Sequence, residues 1–322
     1  MASPNGKRVL VAIDGSDQAL QAARYAGTFF SPGRAEIVLF HVYTRIPESF
    51  WDMEKEPAFH YKIVNIQAWE DRQEEVAREL MVRAKQELLA AGVGEECIRL
   101  LSVPRKAGVA RDIIEEAQSG YDALVIGRSG LSQLKDFMLG SIADKLVEKL
   151  THLPTWVVGG RSLPGRLLLS LDASEGAMRA VDHVAQMAVG YPYVQVTLFH
   201  AIRRLDVFFH GLGDAYAVGY ENEWKEIARK ELEEAAREME STFDQARRRL
   251  LDAGLKDDQV RIRMVREVSS RAHAIVEEAD REGMDTIVVG RRGLSRVQEF
   301  FMGRVSNKVI QLAKDKTVWV VN

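Results

Sequence analysis

The chain carries one glycine pattern twice, once in each half of its 322 residues. Two residues separate the first glycine from the second, and nine separate the second from the third. Each copy follows a short apolar run and precedes an amphipathic stretch, which predicts a buried strand that leads through a loop into a helix. The repeat therefore predicts two domains built to one plan. The two copies are Gly127, Gly130, Gly140 and Gly290, Gly293, Gly303.

A glycine loop between a strand and a helix is suited to phosphate. Glycine lacks the side chain that would keep a ligand from the backbone, and it adopts positive φ freely. A helix that begins at Ser141 would add unpaired N–H donors and the positive end of its dipole. The alternative is that the glycines only permit tight turns and that Ser141 only caps its helix. The strand, the spacing and the hydroxyl together favour a phosphate-binding loop.

This loop and an earlier segment, Val11–Ser16, resemble the ATP-binding type of universal stress protein. The resemblance rests on Gly-x2-Gly-x9-Gly-Ser and on Asp14, which ends the first predicted strand. It implies that Asp14 lies beside the adenine and ribose, and that the backbone near His41 and Val42 lies beside the adenine. It also implies that the phosphates are held by Gly127, Gly130, Gly140 and Ser141.

Five apolar runs in each half alternate with helical patterns, which predicts a parallel α/β sheet. The resemblance implies two tandem doubly wound, Rossmann-like domains, each a five-stranded parallel sheet flanked by helices. It places the first and fourth strands side by side, at the point where such sheets bind ligands. We expect domain 1 at residues 1–160 and domain 2 at residues 164–322, because glycine and proline interrupt both patterns between Gly159 and Gly165.

The second copy departs from the pattern at one position. Asp172 matches Asp14 and the glycines keep their spacing, but Arg304 stands where the first copy has Ser141. An arginine can pair with phosphate through two hydrogen bonds. Equally, it can fill the pocket or pair with Glu299. We therefore treat Asp172, Gly290, Gly293, Gly303 and Arg304 as a second candidate nucleotide site, with occupancy left open.

Two other polar residues near the loops each have two interpretations. Arg128 recurs in the second copy as Arg291. An arginine here either faces the phosphates or lies on the surface outside the loop. Ser306 either supplies a displaced hydroxyl in the second copy or is structural. Arg128 is kept among the candidate nucleotide-binding residues.

Composition excludes several classes of function. A net charge of −3 and a pI near 6.2 do not indicate a nucleic-acid-binding surface. The single cysteine, Cys97, cannot form an intrachain disulfide, and no apolar run reaches the roughly 18 residues of a membrane span. The seven histidines follow no metal-binding motif. We expect a cytoplasmic protein that acts on neither nucleic acid nor membrane.

The leading functional prediction is a regulatory stress protein that binds ATP, with Mg²⁺ accompanying the triphosphate. No Walker-type lysine is present and no motif places a base to activate water, so binding is expected to exceed turnover. One alternative is a slow ATPase or autophosphorylating enzyme. The other is a scaffold that acts through its terminal strands and two aromatic connections, predicted as long loops at residues 43–67 and 202–221.

Both halves end in a Trp-Val-Val strand, Trp156–Val158 and Trp319–Val321. A strand at a sheet edge can pair with another strand. The resemblance implies that these strands join the two domains in an internal pseudo-dimer, whereas the alternative is an ordinary edge covered by a helix. Whether the chain also forms a homodimer, and with which protein it acts, is left open.

Overall fold

The computed structural model describes residues 6–30, 35–45, 60–130, 139–160, 164–204, 221–293 and 302–322. The chain forms two compact units, Met1–Gly160 and Arg161–Asn322. Each unit alternates strands and helices along the chain, as the apolar runs predict.

The first unit is a five-stranded parallel sheet in the order β3-β2-β1-β4-β5. Helix α1 packs against α2, and α3 packs against α4. The elements are β1 (Lys7–Ala12), α1 (Asp17–Phe30), β2 (Ala35–Tyr43), α2 (His60–Ala90), β3 (Ile98–Pro104), α3 (Val109–Glu116), β4 (Ala123–Gly127), α4 (Ser141–Lys149) and β5 (Thr155–Val158).

The second unit repeats this order as β8-β7-β6-β9-β10, again with parallel neighbours. The predicted fold class, two tandem doubly wound α/β domains, is therefore confirmed. The elements are β6 (Arg166–Ser170), α5 (Glu175–Ala188), β7 (Gln195–Arg203), α6 (Glu221–Asp252), β8 (Val260–Val268), α7 (Arg271–Arg281), β9 (Thr286–Gly290), α8 (Arg304–Leu312) and β10 (Thr317–Val321).

The strands β1 and β4 lie side by side in the middle of the first sheet, in register from Val9 opposite Ala123 to Val11 opposite Val125. The apolar residues of these paired segments are fully buried, as expected of parallel strands covered by helices on both faces. Asp14 follows β1 and Gly127 ends β4, so both lie at the carboxyl edge of the sheet. This is the edge at which doubly wound sheets bind ligands.

An aromatic cluster fills the core beneath α1 in the first unit. Trp156 on β5 is fully buried and stacks on Phe30, with ring centroids 5.8 Å apart and planes 12° apart. Phe29 and Tyr25 meet the same indole edge-on at 5.4 and 6.2 Å. The corresponding Trp319 of the second unit makes an edge-on contact with the ring of His183, with ring centroids 5.7 Å apart.

The helix α2 begins earlier than the sequence patterns predict. Residues 43–67 were predicted to be a loop, but α2 starts at His60, and no proline or glycine interrupts the chain from there to Ala90. The other aromatic residues of these connections, at 46–59 and 205–220, lie outside the described residues. In the part of the chain that the structure describes, no helix is both long and apolar enough to cross a membrane.

Candidate functional site

A cleft of about 470 Å³ opens at the carboxyl edge of the first sheet. Loop backbone, the end of β2 and the start of α4 form its walls. The structure brings six of the predicted binding residues together in its lining: Asp14, Val42, Gly127, Gly130, Gly140 and Ser141.

The carboxylate of Asp14 is held against the glycine loop. Its Oδ1 accepts a hydrogen bond from the backbone N–H of Ser16 at 2.9 Å. A Cβ on Gly130 would lie 2.6 Å from Oδ2 of Asp14, which is too close, so any side chain at residue 130 would clash with this carboxylate. Ser16 in turn accepts from the N–H of Ala19 at 3.1 Å and so caps α1. Asp14 is thus fixed by its own turn, and only glycine fits beside it.

Close packing also explains the first glycine of the pattern. A Cβ on Gly127 would lie 2.8 Å from the carbonyl carbon of Gln18, so the end of β4 passes directly over the start of α1. The side chain of Gln18 then accepts a hydrogen bond from the N–H of Ser129 at 2.6 Å and holds the loop. None of the six pattern glycines has positive φ. The expectation that they supply left-handed backbone is therefore wrong, and the first two glycines of each copy are instead required for space, because a Cβ there would overlap a neighbouring atom.

The start of α4 presents backbone donors to the cleft. Its cap residue is Gly140, which has no side chain to bond the N–H groups of the first turn. Gly140 itself donates to the carbonyl oxygen of Arg128 at 2.9 Å, and this bond fixes where the helix begins. Uncapped N–H groups and the positive end of the helix dipole favour an anion at this end.

The opposite side of the cleft is mostly apolar. It is built from the end of β2 and from α2 and α3, through Phe40, Val42, Val76, Ala77, Leu80, Val109 and Ile113. Among the described lining residues Asp14 carries the only formal charge. The cleft therefore has one end rich in backbone donors and one apolar side.

His41, whose backbone was predicted to lie beside the adenine, also lines the cleft. Nδ1 of His41 lies 2.6 Å from the carbonyl oxygen of Ile13. Because a carbonyl only accepts, Nδ1 carries the hydrogen, and Nε2 is the acceptor in the neutral ring. The same bond recurs in the second unit between His200 and Leu171, also at 2.6 Å. The available sequence signal was the recurrence of a histidine near the end of the second strand of each half, in β2 and in β7.

Arg128 does not line the cleft. Its side chain is 3% exposed, so neither interpretation from the sequence, facing the phosphates or lying on the surface, is correct. The physical reason is that its N–H donates to Val158 at 2.9 Å and continues the β4–β5 ladder. The residue consequently stays in the sheet layer instead of the loop that borders the cleft.

The second unit has a smaller cavity of about 220 Å³ at the equivalent edge. Its frame repeats the first, since Oδ1 of Asp172 accepts from both the N–H and the hydroxyl of Ser174, at 3.2 and 2.5 Å. A Cβ on Gly293 would overlap the Asp172 carboxylate. The structure brings together all five candidate residues of this half: Asp172, Gly290, Gly293, Gly303 and Arg304.

Packing at the start of α5 makes the second cavity narrower. Gly176 stands where the first unit has Gln18, and a Cβ there would overlap the carbonyl oxygen of Arg292. The loop backbone therefore rests directly on the helix. Residues of α2 line the first cleft, whereas no described residue of α6 lines the second cavity.

The hydroxyl of Ser306 is already used within the fold. It donates to the carbonyl oxygen of Gly290 at 2.7 Å, and the residue is buried. The sequence left open whether Ser306 offers its hydroxyl to a ligand or has a structural role, and the structural interpretation is correct. Glu299, the predicted alternative partner of Arg304, lies outside the described residues.

Burial lowers the pKa of His200, and the nearby positive charge of Arg271 lowers it further. The bond to Leu171 and the charge of Asp172 act in the opposite direction but are weaker in sum. The imidazole is therefore neutral in the folded protein under conditions where an unfolded histidine, with a pKa near 6.5, begins to take up a proton.

This difference predicts a pH dependence of stability. Since the unfolded chain binds the proton more readily, the free energy of unfolding falls as pH drops below about 6.5, by at most about 1.4 kcal/mol per pH unit. His200→Asn keeps an amide N–H for Leu171 but does not titrate. Urea unfolding at pH 7.5 and 5.5 is expected to show a smaller pH difference for the variant than for the wild type. Equal differences would contradict this assignment.

The sheet order and the loop geometry define a doubly wound α/β protein, a class that binds ligands at the carboxyl ends of its strands. The chain belongs to the universal stress protein family, whose family model matches residues 6–159 and again residues 165–322. The resemblance inferred from the glycine pattern is thus confirmed, in tandem form.

Individual relatives agree with this membership. The chain is 28% identical over 168 residues to the universal stress protein YxiE of Bacillus subtilis (strain 168), which covers 47% of the chain and 97% of YxiE. It is similar in fold to the crystal structure of a universal stress protein from Archaeoglobus fulgidus DSM 4304, with 19% identity, 98% of each chain covered and a TM-score of 0.58. A functionally unknown protein from Pseudomonas aeruginosa PAO1 has 17% identity, coverage of 98% and 92%, and a TM-score of 0.50.

Proposed function

We propose that this universal stress protein binds ATP in the cleft of its first unit and acts as a nucleotide-responsive regulatory protein. The observation that carries the proposal is the arrangement at one end of the cleft. There, Gly130 lies against the Asp14 carboxylate, and the start of α4 has no capping side chain. The volume of about 470 Å³ falls within the roughly 300–1,000 Å³ of typical small-molecule sites.

Each part of the cleft suits one part of the nucleotide. The phosphates meet the loop of Gly127 and Gly130 and the first-turn N–H groups of α4, with the Ser141 hydroxyl as a further donor. The adenine lies against the apolar side near Val42. Asp14, whose carboxylate oxygens only accept, takes hydrogen bonds from the ribose hydroxyls.

Magnesium would arrive with the triphosphate. No lysine or arginine is among the described lining residues, so the protein supplies no full positive charge of its own to the phosphates. The described residues also contain no group of three histidine, cysteine or acidic side chains suited to a metal ion. The phosphate oxygens, and not protein side chains, would therefore supply most of the Mg²⁺ ligands. The ion would in turn neutralise part of the phosphate charge.

A binding role fits this lining better than rapid phosphoryl transfer. Enzymes that transfer phosphoryl groups stabilise the developing charge with positioned cations as well as metal ions. At the phosphate end, the described lining has backbone donors and the side chains of two serines, Ser129 and Ser141, but no cation. We propose that bound ATP changes a surface beside the cleft that a partner recognises.

Ser141→Glu tests where the phosphates lie. A carboxylate in the first turn favours the helix by about 0.3–1 kcal/mol, so the variant is expected to fold. It places a negative charge beside the proposed phosphate position, and the Kd for ATP with Mg²⁺ is expected to rise about tenfold or more. Adenosine has no phosphates and is expected to bind both proteins alike.

Ser141→Ala is the matched control, because it removes the hydroxyl without adding charge. Its Kd for ATP is expected to rise only by about the strength of one hydrogen bond, less than tenfold. Calorimetric titration of both variants gives the comparison. An unchanged ATP affinity in Ser141→Glu would contradict the proposed position of the phosphates.

A further inference from the structure

Three arginines line the second cavity at positions that are neutral in the first cleft. Arg304 in the first turn of α8 replaces Ser141, as the sequence already shows. Arg292 in the loop replaces Ser129. The third arginine comes from a different element, since Arg271 at the start of α7 stands where α3 has Val109. Two of the three corresponding neutral residues in the first unit are serines.

These arginines give the cavity an excess of positive charge. Asp172 is the only acidic residue among the described lining residues, so three guanidinium groups face one carboxylate, a net charge of +2. His200 adds no charge, because its burial keeps the imidazole neutral near pH 7. Arg271 lies close enough to His200 for its positive charge to lower the pKa of that imidazole.

The three guanidinium groups are not used by the described part of the fold. None of them forms an ion pair or a hydrogen bond with another described residue. Nε of Arg292 is also shielded from solvent with no hydrogen-bond acceptor. A charged donor shut off from water without an acceptor costs folding free energy, and a bound anion would relieve that cost. Ion pairing with the described residues therefore does not explain why three arginines line one cavity.

The cavity also limits the size of what it can hold. Its volume of about 220 Å³ lies below the roughly 300–1,000 Å³ of sites for larger small molecules. Gly303 caps α8 without a side chain, so first-turn N–H groups are available beside Arg304. Compact size, free backbone donors and planar guanidinium groups match a tetrahedral oxyanion or a short chain of them.

We propose that the second unit binds a compact phosphate-class anion, inorganic pyrophosphate or phosphate, without an attached nucleoside. The anion lies between Arg271, Arg292 and Arg304, near the Gly303 end of α8. The tandem protein then has two different ligands, a nucleotide in the first unit and a small polyanion in the second. This proposal does not depend on ATP binding in the first cleft.

The test uses Gly130→Val as the background, because that change closes the phosphate end of the first cleft. Pyrophosphate is titrated by calorimetry into this protein at low salt, without Mg²⁺. One pyrophosphate per chain is expected to bind, with affinity that falls as salt rises. In the same background, ATP is expected to bind at least about tenfold more weakly than pyrophosphate, because the nucleoside does not fit.

Arg271→Val and Arg304→Ser are the specific variants, since each installs the residue that the first unit carries. Both arginines are exposed residues of first helical turns, so the variants are expected to fold, as circular dichroism would verify. Each is expected to raise the Kd for pyrophosphate about tenfold, and the pair together about a hundredfold. Surface Arg111→Ala on α3 is the charge-matched control and is expected to leave the Kd unchanged.

Three results would overturn the proposal. The first is no binding of pyrophosphate or phosphate in the Gly130→Val background. The second is equal loss of affinity in Arg111→Ala, which would show general charge attraction. The third is ATP binding as tight as that of pyrophosphate, which would identify a nucleotide's phosphates as the true ligand. Failure of ATP to bind the wild type would refute the function proposed for the first unit and leave this result intact.

Discussion

Gly130→Val is expected to raise the Kd for ATP by about a hundredfold or more, which corresponds to about 2.8 kcal/mol of binding free energy. A Cβ at residue 130 would lie 2.6 Å from Oδ2 of Asp14, so the loop or the carboxylate must move. Either movement damages the proposed site, because the loop provides the phosphate contacts and Asp14 the ribose contact. Calorimetric titration of ATP with Mg²⁺ into nucleotide-stripped protein measures the loss.

Gly293→Val is the matched control for this prediction. It introduces the same side chain against the equivalent carboxylate, Asp172, in the second unit. ATP affinity in the first cleft is expected to stay within about twofold of the wild type, because Gly293 belongs to the other compact unit and does not line that cleft. Circular dichroism of both variants separates loss of the site from loss of the fold. Normal ATP binding by a folded Gly130→Val protein would contradict the placement of the phosphates at this loop.

Trp156→Ala is expected to lower the unfolding free energy of the first unit by about 3–5 kcal/mol. The indole is fully buried and meets three other aromatic rings, so its removal leaves a large cavity beneath α1. Aromatic pairs contribute about 0.5–1.5 kcal/mol each beyond the area that they bury. Urea unfolding followed by circular dichroism, together with hydrogen exchange in each unit, measures the size and the location of the effect.

Trp156→Phe serves as the comparison, because it retains a ring in the cluster and is expected to recover most of the loss. Faster exchange is expected in β4 and β5 of Trp156→Ala, and much less change in β6 and β7 of the second unit. A loss below about 1 kcal/mol would mean that the surrounding rings close the cavity, contrary to the rigid core described here.

The positions of residues that follow from local sequence were predictable, whereas their role in binding stays a prediction. Asp14 follows β1 and Gly127 ends the adjacent parallel strand β4, so their convergence follows from the sheet order and from the glycine spacing. Ser141 begins α4 as expected. The conformational reason for the glycines was wrong, since contacts with Asp14 and Gln18 across the fold, not positive φ, exclude a side chain.

Residues whose position depends on packing between elements were not predictable in this way. Arg128 follows the loop pattern, but one hydrogen bond to Val158 keeps it in the sheet layer. The narrowing of the second cavity depends on Gly176, and its charge depends partly on Arg271, which belongs to a helix far from the loop in sequence. The pairing of the two domains through β5 and β10 and a homodimer stay predictions.

The central claim is that the two units share one frame but differ in ligand, with ATP bound in the first alone. Titration of ATP with Mg²⁺ into the nucleotide-stripped wild-type chain, with the number of sites as the readout, tests this most directly. We expect one ATP per chain, and none in Gly130→Val. No binding by the wild type, or two sites per chain of similar affinity, would contradict the account.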